Sequence, residues 1–99
     1  MSTNKYVVEL TPYEYNILNK NKMISSVCKR QLGSATTVEQ DDEEIIELSL
    51  TVAELEDLTG FVAAESNHAR TERQREDLGE ICDYLEGRLY DIKRRSREG

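Results

Sequence analysis

The residues with the most chemistry to offer are few: one histidine, His68, and two cysteines, Cys28 and Cys82. A single histidine removes most acid–base designs, and a zinc site needs more Cys and His ligands than these. His68 closes a Glu65-Ser66-Asn67-His68 motif. On a helix, positions i and i+3 lie on one side, and two Glu-x-x-His copies with two further glutamates hold a di-metal centre in four-helix bundles. A homodimer of helical hairpins would supply the four helices, with Glu72, Glu76 or Glu80 as further ligands. The motif falls in a polar stretch beside the apolar seam of its helix, so a solvated tip is the better reading. A Cys28–His68 nucleophile and base pair has no support from its neighbours in sequence. We therefore expect no catalysis, no cofactor and no metal, with Glu65 and His68 as the candidates for a di-metal carrier.

Cys28 and Cys82 match no Cys-x-x-Cys spacing and sit among apolar residues. That is where reduced cysteine acts as a small hydrophobe, so both are expected in the core. The N-terminal stretch has polar residues and Glu9 where a signal peptide needs an apolar run, and no stretch approaches membrane-span length. A cytoplasmic protein is the expectation.

Charge is distributed unevenly. The 99 residues carry a formal net charge of -7, yet the segment from Gln31 to Ala69 holds ten acids and no Lys or Arg. Its densest part is Glu39, Asp41, Asp42, Glu43 and Glu44. These acids suit either a solvated loop or a docking surface for a basic partner. They do not suit a calcium loop of the EF-hand type, because no glycine lies between 34 and 59. Cations gather at the other end, in Arg88, Lys93, Arg94, Arg95 and Arg97, where they complement a helix C-terminus. The overall acidic field opposes a polyanion, so nucleic acid is not an expected partner.

The elements that must position these residues follow from periodicity. Residues 5–11 alternate, with Tyr6, Val8 and Leu10 on one face, and 45–50 alternate with Ile46, Leu48 and Leu50 on one face; both read as strands. Thr11-Pro12-Tyr13-Glu14 and Thr51-Val52-Ala53-Glu54 are capping boxes, and each opens a helix. Residues 23–32 fit a helix stripe through Met23, Ile24, Val27, Cys28 and Leu32, or a short strand over 23–28. Residues 33–44 read as a loop. The 33-residue connection between the two strands is long enough for a right-handed crossover, which would make them parallel.

Beyond Thr51, the apolar positions Val52, Leu55, Leu58 and Val62 form one seam, and Leu78, Cys82, Leu85, Leu89 and Ile92 form a second of heptad-like spacing with Ile81 beside it. The registers of the two seams disagree by one residue. That favours a break near 66–71, with Thr71 recapping a second helix through Gln74, over one helix from 52 to 95. The expected fold is α+β in one domain, 1–99: a small two- or three-stranded sheet with an N-terminal helix in 1–50, and an antiparallel helical hairpin over 51–97. The second seam is about 21 Å long and the first about 15 Å, leaving apolar surface for the sheet or a second copy to cover. The leading functional expectation is a small acidic protein–protein interaction module, a homodimer through Leu78, Ile81, Cys82, Leu85, Leu89 and Ile92. The alternative is an acidic regulator or inhibitor that docks on the basic face of a nucleic-acid-binding or toxin-like protein. Asn67, His68, Arg70 and Arg73 form a polar tip and a further candidate contact surface.

Overall fold

The computed structural model describes residues 4–98, with side chains through Arg95; Arg97 of the basic end lies outside the described side chains. The order is β1 (Tyr6–Leu10), α1 (Pro12–Lys20), α2 (Lys22–Val27), α3 (Lys29–Gly33), β2 (Thr36–Gln40), β3 (Glu43–Leu50), α4 (Val52–Asn67) and α5 (Glu72–Glu98). The fold is α+β, with a three-stranded antiparallel sheet in the order β1-β3-β2.

Both capping boxes form. Thr11 Oγ1 accepts from Glu14 N–H while Glu14 Oε1 accepts from Thr11 N–H, and Thr51 and Glu54 repeat the arrangement. Each box satisfies two N-terminal N–H groups that the helix itself leaves unpaired. The ambiguous 23–32 segment is helical: α2 starts at Asn21, whose side chain caps Ile24 N–H, and α3 follows almost without pause. These helices have six and five residues, too short for periodicity to separate them from a strand.

Two expectations are corrected. Residues 33–44 are not a loop, because 36–40 form β2 and pair with β3 across a tight turn. The turn residues Asp41 and Asp42 have φ of 50° and 66°. Two successive positive φ values are what a two-residue type I′ hairpin needs, and aspartate tolerates them better than most residues. Strands β1 and β3 are antiparallel, not parallel, with Val8 opposite Leu48 and Leu10 opposite Ile46. The intervening hairpin sends the chain back along the sheet, so no crossover occurs.

One sheet face is buried through Val8, Leu10, Ile46, Leu48 and Leu50, and the helices cover it. Leu18, Ile24, Cys28 and Leu32 enter the same core from α1, α2 and α3. Helices α4 and α5 pack side by side and antiparallel, as expected of the hairpin: Ser66 Oγ donates to the Arg75 carbonyl near the tip, and Lys93 pairs with Glu56 near the base. His68 ends α4 and the Thr71 hydroxyl accepts from Gln74 N–H, so the break falls where the seam registers disagree. Buried Gln31 joins α3 to α4 by donating from Nε2 to the Glu54 carbonyl at 3.2 Å.

The strained turn generates a stability prediction. Asp42→Gly removes the cost of a side chain at positive φ and should stabilise the fold by about 0.5–1 kcal/mol. Asp42→Val should destabilise it by about 1–2 kcal/mol. Urea denaturation of the two variants beside the wild type checks the opposite signs.

Candidate functional site

The seam expected as a self-interface is interior. Leu78, Ile81, Cys82, Leu85 and Ile92 are at most 6% exposed within a single chain, and Leu89 is half-buried. Helix α4 covers one flank, while α1 and β1 contact the remainder of α5, taking up the surplus length of the seam. These residues are therefore core positions within a single chain, with Leu89 at the edge of that core. The sequence shows the spacing of a helical stripe but not which element lies on it.

The cysteines are buried and free, as expected. Burial raises the Cys28 thiol above its ordinary value, with Asp57 adding to the effect. Burial also pushes Cys82 up to about 12, helped by a hydrogen bond to Glu86 and the negative charges of Glu86 and Asp83. The Cys82 Sγ donates to Glu86 Oε1 at 3.0 Å. Neither thiol has the cationic, partly exposed setting that produces a reactive thiolate.

Glu65 and His68 have different surroundings. Glu65 Oε1 accepts from Asn21 Nδ2 at 3.0 Å, tying α4 to the α1–α2 corner. His68 is exposed at the C-cap of α4, its backbone N–H donating to the Ala64 carbonyl. Among the described residues, no three His, Cys, Asp or Glu side chains gather as a metal site. Asn67, Arg70 and Arg73 are exposed with His68 around the tip. Arg73 turns toward α1, where a hydrogen bond to Tyr13 and the charge of Asp77 hold it firmly protonated. Tyr13 Oη in turn donates to Asp77 Oδ2 at 2.9 Å. A cleft of about 290 Å³ is lined by Arg73 and Asp77 together with the apolar Ile17 and Leu78. Nothing in the sequence pairs Tyr13 with Asp77 across so many positions; it arises because α1 crosses the start of α5.

The acidic residues come together at one place. Glu39, Asp41, Asp42, Glu43 and Glu44 are all exposed and surround the β2–β3 turn. Glu39 stands directly opposite Glu44, and Glu43 opposite Gln40. On the open sheet face, Glu9 stands opposite Glu47. Like charges directly opposite repel, so the sheet carries these acids at a cost. The hairpin is what the sequence reading missed. The β-branched run Thr36-Thr37-Val38 was the available signal, obscured because four of the five strand residues are exposed.

No family model, no curated protein and no solved structure matches this chain. No helix among the described residues is long and apolar enough to cross a membrane.

Two predictions follow from the buried seam. Leu85→Ala should cost about 2–5 kcal/mol by opening a cavity in the core, without changing the solution mass; a shift in mass would place Leu85 in an interface. The native state holds the Cys82 proton to about 12, whereas the unfolded chain releases it near the thiol's ordinary 9.0. Cys82's contribution is therefore fully present below pH 9.0 and is lost as pH rises toward 12. Denaturation midpoints should fall more steeply across that window in the wild type than in Cys82→Ala.

Proposed function

We propose that this chain is a small interaction module, without catalysis, that docks on a basic protein partner through its acidic β2–β3 hairpin. The observation carrying this reading is the convergence of five exposed acids around one turn, within a stretch devoid of Lys and Arg. An acidic projection steers a basic partner and raises its association rate, with an effect that salt weakens. The leading alternative surface, the α5 seam, is occupied within one chain. Of the cations near the end of helix α5, Lys93 already pairs with Glu56.

Non-catalytic action is supported by two buried thiols with raised pKa and by the engagement of the Glu65 carboxylate with Asn21. We place the protein in the cytoplasm; free core cysteines fit a reducing compartment. The partner is a protein with a basic face, as a regulator of a nucleic-acid-binding or toxin-like protein would require.

A photo-crosslinking side chain placed at Asp42 tests the reading in an extract of the cell that makes the protein, with Glu76 on α5 as the control position. The expected result is an adduct with a basic protein from Asp42 alone. It should disappear at high salt and in the variant combining Glu39→Gln, Asp41→Asn, Glu43→Gln and Glu44→Gln. Equal adducts from both positions, or adducts indifferent to salt, would overturn it. Light scattering should give a monomer at every concentration, and a stable dimer would return self-association to the lead.

A further inference from the structure

The two outer strands of the sheet are treated differently. Strand β1 has its free edge covered by α5: Arg88 Nη2 donates to the Val7 carbonyl at 3.0 Å, and the Tyr84 hydroxyl lies against the Glu9 backbone. Val7 and Glu9 are alternate residues, so both contacts fall on the edge facing away from β3. Residues 84 and 88 are one helical turn apart and reach that edge together. Strand β2 has no such cover. Among the described residues its ladder runs to β3 alone, and Thr36, Thr37, Glu39 and Gln40 are exposed. An uncovered strand edge presents a row of N–H and C=O groups that another extended chain can pair with.

We propose that the free edge of β2 takes an added β-strand from a basic partner segment. This rests on the acidic-docking reading and gives it a binding mode. Charge complementarity selects the occupant. On one face Glu39 and Glu44 oppose each other, and a Lys or Arg on the incoming strand beside Glu39 relieves that repulsion. On the other face Val38 is half-buried beside Ile45, and a β-branched residue on the incoming strand extends that contact. The partner segment therefore alternates cations with Thr or Val. A second copy of β2 carries no Lys or Arg to set beside Glu39, so it would add acid to the edge without relieving that repulsion.

The probe is the acetylated, amidated peptide Lys-Thr-Lys-Val-Lys-Thr-Lys, titrated into the full 15N-labelled chain. Amide exchange should slow across 36–40 and stay unchanged across β1. The same peptide N-methylated at alternate residues keeps every charge but cannot complete a ladder, and it should bind about tenfold more weakly or worse. Combining Glu39→Gln with Glu44→Gln should weaken binding several-fold while raising the melting temperature of the free protein, opposite signs that a purely structural role does not give. If the N-methylated peptide binds equally well at the hairpin, strand addition is overturned and acidic docking stands. If neither peptide shifts the hairpin amides, both fall. If exchange across 36–40 slows with protein concentration alone, the occupant is a second copy and the proposal is wrong.

Discussion

The structure depends on β3. It is the central strand, and its alternation places Ile46, Leu48 and Leu50 in the core while Ile45, Glu47 and Ser49 face outward. Its antiparallel register with β1 holds the N-terminal strand, and its last residue leads directly into the Thr51 capping box that starts α4. A slip of one residue would turn its buried leucines outward and remove the floor on which the helices pack. Because only one sheet face is buried, the helices gather on that side, and the seam of α5 is covered by α4, α1 and β1.

How much of this was legible in the sequence depends on whether an element buries a periodic face. Strands β1 and β3 do, so Tyr6-Val8-Leu10 and Ile46-Leu48-Leu50 announce them. The helix starts at Pro12 and Val52 were legible because capping boxes are local chemistry, requiring only Thr and Glu three residues apart. The break between α4 and α5 was legible from the clash of two seam registers. Strand β2 buries almost nothing, so no alternation of polarity marks it, and its turn uses Asp-Asp where Asn-Gly would have signalled a hairpin. Missing β2 also concealed the strand direction, since the hairpin is what brings β3 back beside β1.

The candidate surface was legible in composition but not in shape. Five acids within six positions are evident from the chain alone, whereas their arrangement around a rigid turn needs the pairing of Glu39 with Glu44. The seam of α5 shows the converse limit. Leu78, Cys82, Leu85 and Ile92 have the spacing of a coiled-coil stripe, but a stripe is equally satisfied by a helix of the same chain, a sheet or a second molecule. The elements that decide the matter, α1 and β1, lie more than fifty residues away in sequence. Periodicity can therefore identify what must be covered without identifying the cover.

Two acidic cross-strand pairs in a sheet of three short strands are a poor choice for stability alone. Each is unfavourable by a few tenths of a kcal/mol relative to a neutral pair, in a domain whose total stability is about 5–15 kcal/mol. Charge at an edge strand has a general use in preventing sheets from joining, and Glu39 meets that need at β2. It does not account for Glu9 and Glu47, which lie on the open face between strands already paired. Nor does it account for the difference between the edges: β1 is closed by Arg88 and Tyr84, residues that would close β2 equally well if protection were the purpose there. Under the proposed strand addition, sealing one edge with a cation and an aromatic ring while surrounding the other with acids would discriminate between approaching strands by their charge rather than exclude them all.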